Sequence, residues 1–148
     1  MKKRFLYVIF ALMVLAIIWI VGTAAYKFIL NDELNKAASS ADVPRIDALL
    51  ARGAKVNGCG MHGMTPLMSA CRSRDLATVR HLIDKGADIN GHNDSGSVLF
   101  WAIESGNPSI VRALLDDGVD TQWMNCLGQD AHAFAMSKGD KAMLKLVP

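Results

Sequence analysis

The sequence has few cysteines, and it has no charged residue over a long run near its N-terminus. The cysteine count and the charge that remains outside this run each exclude a class of protein. Cys59, Cys71 and Cys126 are the three cysteines in 148 residues, too few and of odd number for a disulfide scaffold. Residues 5–25 are uncharged, and four of the 16 Lys and Arg residues flank them. The remainder holds 12 basic against 14 acidic residues, a net charge of −2. A nucleic-acid-binding domain needs a basic face, so this class is excluded.

The sequence also lacks the local signatures of the common enzyme classes. It has no P-loop, no Gly-x-Ser-x-Gly elbow, no dinucleotide-binding glycine pattern and no HExxH motif. Serine, histidine and aspartate all occur, but no triad of them sits in such a signature. A hydrophobic fraction of 51% excludes a disordered chain. We therefore predict a folded protein that is not an enzyme and needs no cofactor.

The uncharged run at residues 5–25 predicts a transmembrane helix. About twenty residues at 1.5 Å each span the hydrocarbon core of a bilayer. Lys2, Lys3 and Arg4 precede the run and only Lys27 follows closely, so the positive-inside bias predicts a cytosolic N-terminus. We expect the exported domain to lie on the periplasmic side of a bacterial inner membrane. The expected segments are a cytosolic start at 1–4, a signal-anchor helix at 5–25, a linker at 26–33 and the exported domain at 34–148.

A cleaved signal peptide is the alternative for the same segment. Small residues at positions 22–25 offer cleavage sites, and the residues before the run are suitably basic. The apolar stretch over residues 5–21 is longer than the roughly 7–15 residues typical of a signal peptide. This length favours the uncleaved anchor, and in both cases the remaining domain is exported.

The rest of the chain repeats itself with a period of about 33 residues. Three segments align at offsets of 33 and 32 residues, namely 46–57, 79–90 and 111–122. Each is preceded by a second shared segment, at 34–38, 67–71 and 99–103. A fourth copy begins at Gly128. Apolar or small residues at i, i+3 and i+4 predict two short helices in each unit, and Gly53, Gly86 and Gly118 follow the second helix, where a left-handed residue is favoured. In the third unit, Asn107 followed by Pro108 predicts the start of the second helix.

These segments resemble the ankyrin repeat. Residues 65–71 (TPLMSAC) are similar to the family's TPLHxAA signature, with Met68 in place of the usual histidine. Residues 86–90 (GADIN) are similar to its GADVN ending. The resemblance covers about residues 31–148 and implies an all-α solenoid of three to four helix-turn-helix units with short finger loops, preceded by the transmembrane helix. The expected units are 34–59, 60–92, 93–125 and 126–148, and the degenerate terminal ones suit capping units.

The resemblance also implies a binding surface. In ankyrin stacks, the finger loops and the exposed sides of the first helices form a concave groove that binds a protein partner. Exposed Met, Trp and Arg are typical of binding hot spots. Carried over onto this sequence, the predicted partner-binding residues are Met61, His62, Met64, Arg72, Ser73, Asn93, Asp94, Glu104, Ser105, Trp123 and Met124. We expect Trp123 to be exposed, Trp101 to pad the core between units, and Cys71 to be a core residue.

The expected function is that of a membrane-anchored interaction module with a monomeric exported domain. We expect it to bind one protein partner, and the resemblance implies that it acts as an inhibitor or a helper of an envelope protein. The lipid bilayer is contacted through residues 5–25.

A small metal- or redox-handling protein is the alternative function. Cys59, His62, His92 and Cys126 all fall in the predicted finger loops, and thiolates and imidazoles are ligands of zinc and copper. Stacked units lie roughly 10 Å apart, however, whereas metal–ligand bonds are about 2.0–2.3 Å long. The same spacing argues against a disulfide between Cys59 and Cys126, since bridged Cα atoms lie within about 7 Å of each other. We therefore expect exposed loop residues and no metal.

Overall fold

The protein folds into a row of helix pairs joined by loops. A computed structural model describes residues 2–147, with side chains described for residue 10 and residues 12–147. The helices are α1 (Lys2–Ser39), α2 (Val43–Ala51), α3 (Pro66–Ser73), α4 (Leu76–Asp84), α5 (Val98–Ser105), α6 (Pro108–Asp116), α7 (Ala131–Lys138) and α8 (Lys141–Leu144). Two short strands, β1 (His92–Asn93) and β2 (Gly96–Ser97), form an antiparallel hairpin. Met1 and Pro148, which begin and end predicted segments, lie outside the described residues.

Helix α1 joins the apolar run to the first repeat without a break. It covers 38 residues, a length of about 57 Å, and is long and apolar enough to cross a membrane. Its large apolar side chains are exposed from Leu12 to Ile29, and Leu30 and Leu34 are buried in the core. The structure therefore differs from the linker that we expected at residues 26–33, which are helical. The reason is that Leu30 and Leu34 continue the helical spacing into the packed repeat.

Every repeat helix after α1 begins at a side chain that caps it. Thr65, Ser97 and Asp130 accept a hydrogen bond from a backbone N–H in the first turn of α3, α5 and α7. The outer helices α2, α4, α6 and α8 begin in the same way, at Asp42, Asp75, Asn107 and Asp140. Pro108 follows Asn107 in the first turn of α6, where no backbone N–H is needed. The caps thus fix where the chain turns in each unit, and the predicted Asn107–Pro108 helix start is confirmed.

The inner helices, which are the end of α1 together with α3, α5 and α7, pack side by side in sequence order. Small residues at equivalent positions permit this close approach, since all four are buried: Ala37, Ala70, Ala102 and Ala135. The outer helices cover the row with larger side chains that are also buried, including Ile46, Val79, Leu82, Ile110 and Leu114. One hydrophobic core therefore runs through all the units, and Cys71 is part of it, as predicted.

Asparagine side chains tie neighbouring finger loops to one another. Asn57 Oδ1 accepts a hydrogen bond from the N–H of Asp88 at 2.8 Å. One unit later, Asn90 Oδ1 accepts one from the N–H of Asp120 at the same distance of 2.8 Å. Asn57 and Asn90 each end a GADIN-type segment. The structure thus supplies the physical reason for an asparagine there, since it satisfies a backbone donor in the next loop.

The three predicted left-handed glycines are confirmed. Gly53, Gly86 and Gly118 follow α2, α4 and α6 with φ values of 96°, 86° and 81°. At Gly86, the N–H donates to the carbonyl oxygen of Ile83 at 2.9 Å and so closes the helix end. A Cβ built at Gly86 meets no atom within 4 Å. The backbone conformation alone therefore requires glycine at this position.

Replacing Gly86 with valine is expected to lower the free energy of unfolding by about 1–3 kcal/mol, because a β-branched side chain is strained at positive φ. Gly86→Asn is the matched control and should cost less, since asparagine tolerates this conformation better. Urea unfolding of the full-length protein in detergent micelles, followed by tryptophan fluorescence, measures both. Equal stability of Gly86→Val and the unsubstituted protein would contradict the assigned repeat register.

Candidate partner-binding groove

The inner helices and the finger loops form one continuous surface. A finger loop precedes each of α3, α5 and α7, at residues 52–65, 85–97 and 117–130. The first loop contains a 3₁₀ turn, Met61–Gly63, and the second contains the β1–β2 hairpin. We call the exposed side of the inner helices, together with these loops, the groove.

A shallow depression of about 160 Å³ lies in the groove between the first two units. Its lining includes Asp32 and Lys36 of α1, Arg72 of α3, and Met61 and Met64 of the first finger loop. Lys36 Nζ lies 2.9 Å from the Asp32 carboxylate, and its hydrogen bond holds the pKa of Asp32 below its usual value. Arg72 has no ion-pair partner among the described residues. The depression therefore combines an unpaired guanidinium with two methionine side chains.

The predicted site residues differ in how far they are accessible. Those that are exposed are Met61, His62, Arg72, Asp94, Glu104 and Met124, and those that are half-buried are Met64, Ser73, Asn93 and Trp123. The prediction for Ser105 requires correction. Ser105 is only 5% exposed, and its hydroxyl donates to the carbonyl oxygen of Ala102 at 2.7 Å. It satisfies its own helix in this way and is not accessible to a partner.

Trp123 is half-buried, which differs from the exposed position that we expected. Its indole meets the ring of Phe100 edge-on, with centroids 5.4 Å apart, and lies 5.5 Å from the ring of His92. Phe100 in turn packs edge-on against Phe134, with centroids 4.6 Å apart. Such edge-to-face pairs stabilise by about 0.5–1.5 kcal/mol beyond the burial of their area. Trp123 therefore fastens the third finger loop to α5.

Phe134 is a groove residue that the sequence analysis missed. Lys138 Nζ lies 5.1 Å from the centroid of the Phe134 ring and 3.0 Å from the carboxylate of Glu104. The repeat register could have indicated Phe134, because it aligns with Trp101, 33 residues earlier. Trp101 packs half-buried against the core, as predicted. Its indole N–H is buried and has no acceptor among the described residues.

Comparison with known proteins identifies the family. The family profile described as "Ankyrin repeats (3 copies)" matches residues 34–125. The chain belongs to the ankyrin repeat family. Ankyrin repeats indicate a protein–protein interaction module, and ankyrin repeat proteins are generally not enzymes.

Three relatives share the repeats with this ankyrin repeat protein. The transient receptor potential cation channel subfamily A member 1 homolog of Caenorhabditis elegans is 33% identical over 75% of this chain. Zygote-specific protein 3 of Chlamydomonas reinhardtii is 30% identical over 77% of it. The ankyrin repeat, SAM and basic leucine zipper domain-containing protein 1 of Carollia perspicillata is 32% identical over 51% of it. The matched part covers 9%, 31% and 16% of the length of these three relatives. The similarity therefore shows the shared repeat and does not extend to the activities of the relatives.

The finger loops do not support the metal-binding alternative. In the described part of the chain, no three His, Cys, Asp or Glu side chains come together in a way that could hold a metal ion. His92 packs against an indole ring, and Cys59 and Cys126 are exposed free thiols. The third thiol, of Cys71, is buried, and burial raises its pKa to about 12.

Replacing Trp123 with alanine is expected to lower the free energy of unfolding by about 1–3 kcal/mol, because it removes the ring contacts of the third finger loop. Arg72→Ala is the exposed control from the same groove and should change this free energy by less than about 0.5 kcal/mol. Urea unfolding of the full-length protein in micelles measures both. An unchanged stability of Trp123→Ala would show that the indole does not hold the loop.

Proposed function

We propose that this protein is a membrane-tethered interaction module, anchored by α1 and binding one protein partner through the groove. One observation supports the tether above all. Helix α1 presents exposed apolar side chains over residues 12–29 and then contributes the buried Leu34, Ala37 and Ala38 to the first repeat. Such an extended apolar surface is unfavourable in water, whereas a bilayer covers it.

The charges at the two ends of the apolar run support an orientation. Lys2, Lys3 and Arg4 precede the run, and Lys27 follows it. By the positive-inside rule, the N-terminus lies in the cytosol and the ankyrin repeats lie on the exported side. In a bacterial inner membrane this side is the periplasm. The partner is then an envelope protein that the module inhibits or assists.

The groove favours a partner that presents an acidic side chain next to apolar ones. On the inner helices next to α3, two charged side chains form ion pairs within the chain. Lys36 of α1 pairs with Asp32, and Glu104 of α5 pairs with Lys138. Arg72 is exposed and has no such pair among the described residues. Met61 and Met64 line the same depression. Arginine forms bidentate pairs with carboxylates, and Arg and Met are enriched in protein interfaces.

Arg72→Ala is expected to weaken partner binding by about 1.4–4 kcal/mol, or roughly ten- to thousand-fold, if Arg72 is a hot spot. Arg112→Ala is the matched control, because Arg112 is an exposed arginine on the outer helix α6. A photo-crosslinking amino acid in place of Ser39, which lines the same depression, captures the partner in cells. Titration of that partner with both variants measures the affinity. Loss of binding in Arg112→Ala alone would move the site to the outer helices.

The tether is tested by adding charge to α1. In the double variant Leu15→Arg, Ile18→Arg, each arginine costs about 2.5–3.5 kcal/mol at the bilayer centre, so carbonate should release more of the protein from membranes. Ser40→Arg, just beyond the end of α1, is the control and should stay bound. A reporter that is active only in the periplasm, fused to the C-terminus, should be active. Carbonate release of the unsubstituted protein, or a mature chain beginning at Tyr26, would contradict the uncleaved anchor.

A further inference from the structure

The finger loops lie at the end of the inner helices that is nearer to the apolar run. Helix α3 runs parallel to the end of α1, because Ser69 donates to Asn35 at 3.1 Å and Arg72 shares a depression with Ser39 further along. Contacts between residues 34 apart likewise join α5 to α7. Each loop precedes its inner helix, so all three loops emerge on the side of the apolar run. The turns between inner and outer helices lie at the opposite end.

Hydrogen bonds hold the first finger loop at a defined height on α1. Asn31 Oδ1 accepts from the N–H of Lys55 at 3.0 Å, and Asn35 Nδ2 donates to the carbonyl oxygen of Gly58 at 3.2 Å. At 1.5 Å per residue, this loop lies about 9–15 Å beyond residue 25, where the uncharged run ends. Lipid headgroups extend roughly 5–8 Å beyond the hydrocarbon core. The finger loops therefore lie next to the headgroups when α1 spans the bilayer.

Large exposed apolar side chains are concentrated at this level. Between the uncharged run and the core, Tyr26, Phe28 and Ile29 are exposed. Beyond α1, the large exposed hydrophobic side chains in the described part of the chain are Met61, Met124, Leu127 and Met136. Met124 and Leu127 lie in the third finger loop, and we call them the finger edge, whereas Met61 lines the depression of the groove. Leu127 is 76% exposed and Met124 is 60% exposed, so both side chains are free to contact a surface on the side of the apolar run.

We propose that the finger edge rests on the surface of the bilayer, so that the ankyrin stack lies against the membrane. This inference rests on the membrane tether proposed above. The uninterrupted α1 leaves no flexible joint through which the stack could swing away. The inner helices pack side by side in sequence order, so the later loops emerge at the same end of the stack as the first loop. Contact with the headgroup region then removes the apolar finger edge from water.

The exposed charges of the finger loops nearly balance. The exposed cations are Arg52, Lys55 and Lys85, and the exposed anions are Asp88, Asp94, Asp117 and Asp120. A net charge of −1 gives no electrostatic attraction to an anionic leaflet. The attraction is therefore apolar, and zwitterionic phosphatidylcholine is the lipid for the test.

The native cysteines allow a direct measurement. Cys126 is exposed beside Leu127, whereas Cys71 is buried, and burial raises its pKa to about 12 and keeps it from reacting. Full-length Cys59→Ser protein therefore carries a single thiol-reactive fluorophore, at Cys126, in phosphatidylcholine vesicles. The control carries it at Lys141→Cys, with Cys59 and Cys126 both changed to Ser. Lys141 is exposed in the same repeat, at the opposite end of its inner helix.

Quenching by a nitroxide on the lipid headgroup should be severalfold stronger for the fluorophore at Cys126 than for the one at position 141. Equal quenching in protein that floats with the vesicles overturns the membrane contact and leaves the tether intact. Protein that fails to float with the vesicles overturns the tether and the contact together. The vesicles contain no other protein. If the finger edge binds a protein partner and not the bilayer, quenching at the two positions is therefore equal, and this result also overturns the proposal.

Discussion

The structure depends on one helix that serves two environments. The first part of α1 exposes apolar side chains, and its last turns bury Leu30, Leu34, Ala37 and Ala38. A single repeat cannot bury its own apolar face. The end of α1 is therefore packed because α2 and α3 cover it, and α3 and α5 are covered in turn by α5 and α7. The orientation of the whole stack relative to the apolar run follows from this shared helix.

The first finger loop is built against the same helix. A Cβ on Gly58 would collide with the side chain of Asn31, and one on Gly60 would lie 2.9 Å from Asn35 Nδ2. The loop thus passes so close to α1 that glycine is required at both positions. Asn35 is itself buried, and its amide joins this loop to α3 through Ser69. Polar contacts at this junction hold the loop, the end of α1 and the second repeat in one arrangement.

The two ends of the groove differ in how their side chains are used. At the end formed by units three and four, aromatic rings pack on one another, and Lys138 is committed to Glu104. Between units one and two, the depression holds Arg72 without an ion pair among the described residues. The first arrangement stabilises the stack, whereas the second holds the arginine and the two methionines to which we assign partner binding in our proposal. A protein-binding module needs both, since its binding surface must be rigid and must present charged and apolar groups that have no partner within the module itself.

The sequence by itself determined the repeat, its helix pairs, its Asn107–Pro108 helix start and the positive φ at Gly86, because local backbone and capping chemistry governs each of these. Of the eleven partner-binding residues that it predicted, six are exposed. Only the tertiary structure decided the continuation of α1 through residues 26–33, the burial of Ser105 and the packing of Trp123. These outcomes depend on contacts with residues that are distant in sequence, or on how much of a side chain the packed neighbouring helices leave exposed. Trp123 meets Phe100 only when the third finger loop folds back onto α5, and no local pattern around Trp123 contains that contact.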